Sequence, residues 1–400
     1  MRVAGRLVDN RFPGIVFGRL RRPIMWEYIK YYFAPFVQVL AIWGFYRGGD
    51  FTWIAIGAFP AIAMLDALLP LDLSERRMKS HFWAYLPVWI ATLLLPVMYF
   101  VFAWSVGHHA LTALQMAGGV AGLAWLSVVP GVPATHELYH SRGRLARFVG
   151  RYGQIAFLDC MRMEVHVVGH HRDVGTAEDV DTARRGATLY RFVVRSMWES
   201  TRLELKLDAD TLEKRGYSRW SIRHSLWRAI LAVVVFVGII HAIGGVKAAG
   251  LCFIAMVIAR FWVEAFNYYQ HFGQTRVVGT PIEKRHVWNH YGTLSRLYAF
   301  EITNHAEHHL NSYLPYYKLV PDRQAILMPS IIVCFLSGFI PPLWYSRIIK
   351  PALRRWDNEF ASPAERRLAM EQNRSVGWED WFDEPPTKPG KPTTTAWAGS

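Results

Sequence analysis

The sequence predicts an all-α protein, a six-helix transmembrane bundle with a cytoplasmic, histidine-rich helical cap. Three observations predict it. Of 400 residues, 52% are hydrophobic and 14% aromatic, which makes a soluble domain the weaker starting assumption. The apolar residues are bunched into six blocks, each near the roughly 20 residues a helix needs to cross a bilayer. Nine of the 16 histidines fall in four groups that follow the fourth and sixth blocks.

The blocks come in close pairs. "YYFAPFVQVLAIWGF" (31–45) is followed at once by a block over 51–71, and "FWAYLPVWIATLLLPVMYFVFAWSV" (82–106) by one over 111–135. After a long polar interval come 226–243 and 248–266. A seventh apolar run, "ILMPSIIVCFLSGFIPPLWY" (326–345), is interrupted by prolines and reads as a surface-lying or re-entrant segment more than a span. Arg19, Arg21, Arg22 and Lys30 precede the first block, and Arg76, Arg77 and Lys79 lie between the second and third, whereas the opposite turns carry only Arg47 and Lys247. The positive-inside bias therefore places both termini in the cytoplasm of an inner-membrane protein, with the cap formed by 136–225 and 267–384. Residues 1–384 read as a single membrane domain, and the proline- and threonine-rich 385–400 as a disordered tail.

Several classes are excluded. The net charge of +14 suits a protein beside anionic lipid, and no basic-aromatic motif supports a nucleic-acid partner. Cys160, Cys252 and Cys334 are scattered and form neither a metal nor a disulfide spacing. The first thirty residues are mixed and basic, unlike a cleavable signal peptide.

Topology sorts the histidines. His136 and His140 stand at the cytoplasmic end of the fourth block, His166, His170 and His171 lie in the interval, His271 closes the sixth block, and His305, His308 and His309 follow in "HAEHH". His108 and His109 fall in a turn on the opposite side. His81, His224, His241, His286 and His290 read as packing or interfacial histidines, with His286 and His290 near enough in sequence to support the cluster. If helical, His136 and His140 lie one turn apart on one face, as do His166 and His170 with His171 alongside, and His305 with His308 or His309 repeats the arrangement. One zinc would need about four ligands, so nine point to two metal ions with four or five nitrogens each. "HELYH" also matches the zinc-protease pattern in which Glu137 would activate water. A metal transporter using histidines in transit is a third reading, although polar residues are few inside the blocks.

Iron, unlike zinc, can reduce dioxygen, and apolar walls would admit a hydrophobic substrate while excluding water. The chain lacks G-x-G-x-x-G, an iron–sulfur cysteine set and C-x-x-C-H, so electrons must come from an external carrier, docking on the cytoplasmic face. "HELYH" (136–140), "HVVGHH" (166–171), "NYYQHFG" (267–273) and "HAEHH" (305–309), in that order, resemble the integral-membrane non-heme diiron monooxygenases, the alkane and xylene monooxygenases related to membrane fatty-acid desaturases. The resemblance runs from about Glu27 to Trp381. It implies a six-helix bundle, a cytoplasmic cap and two irons, and carries His136, His140, His166, His170, His171, His271, His305, His308 and His309 over as iron ligands.

Departures from the alkane branch narrow the resemblance. Where that branch has a glutamate before the second box, this chain has Val165, with Glu164 one place earlier; Asn304 and Glu307 replace its arginine and aspartate, and Phe272 its tyrosine. "EITNH", "FNYYQHFG", "VWNHYGT" and "MPSIIVCFLSGFIPPLW" resemble the xylene branch. That implies oxygen-dependent hydroxylation of an aromatic methyl group to a benzylic alcohol, with electrons from an NADH-dependent flavin and [2Fe-2S] reductase. The alternative is terminal hydroxylation of n-alkanes with rubredoxin as donor. Glu137, Glu264 and Glu307 are candidate carboxylates behind the ligands, with Glu164 and Asp173 as further neighbours and Asn267 as a possible ligand partner. Trp262, Phe266 and Tyr268 are candidate substrate-route residues, and Tyr313, Tyr316 and Tyr317 read as interface anchors of the cap.

Overall fold

The computed structural model describes residues 24–382. The tail at 385–400 and Arg19, Arg21 and Arg22 lie outside the described residues.

The long apolar runs form helices, which pair their backbone polar groups within the segment where a bilayer offers none. We label α1 Phe33–Arg47, α2 Ile54–Leu68, α3 His81–His108, α4 Ala113–Val128, α5 Gly131–Tyr139, α6 Arg144–Gly153, α7 Leu189–Lys214 and α8 Ser225–Gln270. The chain after α8 adds α9 Thr293–Tyr298, α10 His305–Leu310, α11 Ile331–Gly338, α12 Lys350–Glu359 and α13 Pro363–Ser375. The strands β1 Asn289–His290 and β2 Leu327–Met328 are two residues each and pair in parallel. The protein is all-α in architecture and spans a membrane several times.

Among the described residues four helical stretches are long and apolar enough to cross a bilayer: Gly49–Leu68, His81–His108, Ala113–Tyr139 and Ser225–Gln270. The last, at 46 residues, would run about 70 Å if straight, more than twice a hydrocarbon core. It bends at Gly245, whose φ of 78° and ψ of −178° are open to glycine. Gly244 beside it packs against the Ala103 carbonyl so closely that no Cβ fits. Helix α1 has 15 residues and continues the helical turns of Ile24–Ile29 and Lys30–Tyr32 that lead into it. The core forms where α8 packs on α3 and α4, α1 on α3, and α2 on α4. Apolar side chains such as Leu93, Leu231 and Val234 remain on the outside, where only lipid can satisfy them.

The proline-interrupted run at 326–345 builds no span. Its longest α-helix, α11, has eight residues, about 12 Å, and lies against α8 and α2 with Ile331, Ile332, Cys334 and Phe335 buried. Tyr316 and Tyr317, expected as interface anchors, are instead buried in the core, because Tyr316 turns inward and donates its hydroxyl to the Ala84 carbonyl at 2.7 Å; Tyr313 is exposed. The C-terminal helices are tied back by a buried ion pair: Arg185 donates to both oxygens of Asp357 at 2.7 and 2.6 Å.

Candidate metal centre

Four separate elements deliver the nine histidines to one place. His136 lies on α5 and His140 caps it, so both project from one face. His166, His170 and His171 would not share a face on a regular α-helix, since five residues rotate the side chain roughly 140° away. Residues Val165–His170 form a π-helix instead, whose wider turn brings positions four and five residues apart into line. His271 ends α8 at a residue that has left helical geometry, φ −129° and ψ 36°. His305, His308 and His309 occupy one face of α10.

The ring nitrogens converge in two adjoining groups. His136, His140, His166, His171 and His308 form one, and His170, His271, His305 and His309 the other, with the ligand atoms of each within 4.8 Å of one another. Within the first, Nε2 of His166 stands 2.9 Å from that of His136 and 3.2 Å from that of His171. Within the second, Nε2 of His305 stands 2.9 Å from that of His271 and 3.1 Å from that of His309. Nitrogens bound about 2 Å from one transition ion stand roughly 3 Å apart, so the spacing fits a shared ion. Hydrogen bonding does not account for it: both nitrogens of His140, Nε2 of His170 and Nε2 of His308 are buried with no partner. The donor set therefore fits a two-metal centre of the diiron type.

Electrostatics favour the ligand form. Burial, reinforced by neighbouring imidazoles, pushes His166, His171, His308 and His309 well below the ordinary histidine range, and burial takes His305 down to about 3. Neutral imidazole is the form that binds metal. His170 is the exception. Burial pulls it down, but the Asp179 carboxylate, 3.0 Å from Nδ1 through either oxygen, raises it above its usual value.

Asp179 belongs to a buried polar frame. It accepts from the Thr182 hydroxyl at 2.6 Å and from the Asp181 backbone N–H at 3.1 Å. Arg162 donates to Asp181 at 2.9 Å and to Glu264 at 3.0 Å, and the Ser196 hydroxyl donates to Glu264 at 2.9 Å. Asp181 also comes within 4.8 Å of His166 and His170, one from each group. The frame thus joins α7, α8 and the segment carrying the second histidine box.

The other carboxylates singled out in the sequence make different contacts. Glu137 accepts from the Tyr85 hydroxyl and, at 3.1 Å, from the Tyr316 backbone N–H. Glu307 pairs with Lys284 at 3.2 Å, Glu164 with Arg151, and Asp173 with Arg172 at 2.6 Å. Asn267 donates to Glu264 at 2.9 Å. His286 sits against Glu365 at 2.8 Å, and His290 Nδ1 donates to the Pro329 carbonyl at 2.8 Å, both away from the two groups.

An apolar cavity abuts the histidines. His136, His166 and His305 edge it, and Val132, Phe157, Phe266 and Ile332 are among its walls. Trp262 packs edge-on to Phe335 near the walls, with ring centroids 5.9 Å apart, and Tyr268 donates its hydroxyl to the Ala187 carbonyl at 2.7 Å; neither lines the cavity. Sequence reasoning missed Arg162, Asp179 and Asp181. The only trace of the acidic pair was the alternation "EDVD" at 178–181, shortly after the second box.

The Fatty acid desaturase family profile matches residues 116–329, a stretch that contains all nine histidines. The xylene/toluene monooxygenase hydroxylase component of Pseudomonas putida is 41% identical over 359 residues, covering 89% of this chain and 97% of that protein. Alkane 1-monooxygenase 1 of Pseudomonas aeruginosa is 28% identical over 84% of this chain and 87% of its own length, and alkane 1-monooxygenase of Pseudomonas putida 26% over 79% and 80%. With two buried histidine groups set in a membrane bundle, this chain belongs to the fatty acid desaturase family, as an oxygen-dependent non-heme diiron monooxygenase.

Proposed function

We propose that this enzyme hydroxylates the methyl group of a hydrophobic, toluene-like aromatic to a benzylic alcohol. The observation that carries the reading is the placement of an apolar cavity directly against His136, His166 and His305. The 41% identity to a xylene/toluene monooxygenase hydroxylase component supports the aromatic substrate over the n-alkane alternative, whose curated relatives are 28% identical or less.

His136, His140, His166, His171 and His308 would hold one iron, and His170, His271, His305 and His309 the second. When bound, two irons supply the redox chemistry that reduces dioxygen and inserts one of its oxygen atoms into a C–H bond. The chain's own residues do the rest. Val132, Phe157, Phe266 and Ile332 bind the aromatic ring by burial and keep water from the reacting carbon. Asp179 accepts a hydrogen bond from Nδ1 of His170, which fixes the tautomer and directs Nε2 to the metal. Glu264, through Arg162 and Asp181, holds that segment against α8. Glu137 fastens α5, and with it His136 and His140, to the backbone at Tyr316, and Glu307 steadies α10 through Lys284.

The chain crosses the inner membrane six times in our reading, α1 and the two arms of α8 completing the set, with both termini and the cap in the cytoplasm. Residues 1–384 act as one hydroxylase domain. An NADH-dependent flavin and [2Fe-2S] reductase docks on the cap, because the sequence carries no redox group of its own. The test is product analysis with p-xylene and octane offered together to the purified protein, a reductase and NADH. 4-Methylbenzyl alcohol is the expected product; octanol alone would replace the aromatic reading with the alkane one, and absence of oxygenated product would overturn both.

A further inference from the structure

The cavity is not uniformly apolar. It is lined by four uncharged side chains that carry buried polar atoms without a partner: Gln154, Gln270, Thr303 and, through its hydroxyl, Tyr298. Gln154 is fully buried, and neither Oε1 nor Nε2 of its amide is hydrogen-bonded, although the Tyr139 hydroxyl stands nearby. Gln270 Nε2 and Thr303 Oγ1 are likewise buried and unpaired, and all three residues line the same cavity as His136, His166 and His305.

A hydrocarbon cannot satisfy them. It has neither donor nor acceptor, so a toluene-like substrate leaves these buried polar atoms unpaired, an arrangement that folded proteins rarely keep without use. A hydroxyl group brings one donor and two acceptor sites, matched by an amide oxygen and an amide N–H. We infer that Gln154, with Gln270 and Thr303, forms a hydroxyl-binding subsite that makes the cavity a receptor for small primary alcohols, and that Gln154 sets the preference for alcohol over hydrocarbon. The subsite rests on the reading of the cavity as the substrate site. Its consequence is selective: the group introduced by hydroxylation finds hydrogen bonds that the substrate could not make, so the alcohol is retained and competes with fresh hydrocarbon.

The test compares equilibrium binding of benzyl alcohol and toluene to the iron-loaded, oxidised protein in lipid nanodiscs, without reductant, so that nothing turns over. Gln154→Met keeps the volume and removes the amide. Benzyl alcohol should bind about tenfold more weakly to this variant, with toluene binding unchanged or tighter. Thr303→Val should weaken the alcohol selectively by a smaller factor. A parallel loss for both ligands, or no loss for the alcohol, overturns the subsite. Iron content equal to wild type shows that the centre is intact; if Gln154→Met does not fold, Thr303→Val and Gln154→Glu decide by the same alcohol-to-toluene ratio. An enzyme that fails to hydroxylate p-xylene but keeps a Gln154-dependent alcohol preference would sink the proposed reaction and leave the subsite standing.

Discussion

A histidine ligand and the carboxylate behind it should fail differently when altered. His308 has no hydrogen-bond partner at Nε2 and sits among His136, His140 and His171, so His308→Ala removes one of five nitrogens without opening a packing contact to solvent. It should leave the helical content intact and lower bound iron in the five-histidine group, as read by metal analysis and Mössbauer spectroscopy on the purified protein. Two irons per chain in this variant would contradict the assignment. Asp179→Asn keeps the shape but weakens the hold on His170 Nδ1. Loss of such a partner elsewhere lowers metal affinity or activity about 10- to 100-fold, and here the loss should be confined to the four-histidine group. The histidines were legible from sequence because imidazoles at i, i+3 and i+4 stand out. Asp179 and Arg162 were not, because a buried ion network leaves no periodic signature and its partners lie up to about a hundred residues away.

At the level of elements, the site depends on how closely α6 approaches α5. Gly150 on α6 sits where an added Cβ would come 2.6 Å from the Tyr139 backbone nitrogen and 2.7 Å from the Thr135 carbonyl oxygen. Neither atom can yield without moving α5, which carries His136 and is capped by His140. Gly150→Val should therefore cost about 1–3 kcal/mol, the range for overpacking a close interface, and should also lower iron occupancy. A Tm and iron content equal to wild type would show that α6 can simply tilt away. Helix content and the paired apolar blocks were readable in advance from run length. The π-helix at Val165–His170 was not, since it differs from an α-helix by hydrogen-bond register and not by composition. The spacing of His166, His170 and His171 was its one trace, for only a widened turn aligns all three.

Across the whole molecule, the chain after α8 folds back on the helices and needs fastening, because it is built from short helices and loops. That the chain is a multi-span helical membrane protein could be read from hydropathy. The fastenings could not, for they join residues remote in sequence: Arg185 with Asp357, Arg296 with Asp72, and His286 with Glu365. The last gives a pH dependence with a definite sign. Burial pushes the Glu365 carboxyl up, but its hydrogen bonds to His286 and Arg285 outweigh that and hold it down at about 2. A carboxylate whose folded value lies below its unfolded one stabilises above the ordinary range near 4.3 and loses that contribution as pH falls toward 2. The contact is therefore complete at neutral pH, and acidification from about pH 5 should release α13 from the body of the cap. Hydrogen exchange of solubilised protein should show Pro363–Ser375 losing protection progressively over this interval, and Glu365→Gln should flatten the change by starting from the weakened state. Equal pH dependence in wild type and Glu365→Gln would mean that Glu365 does not govern the acid release of α13.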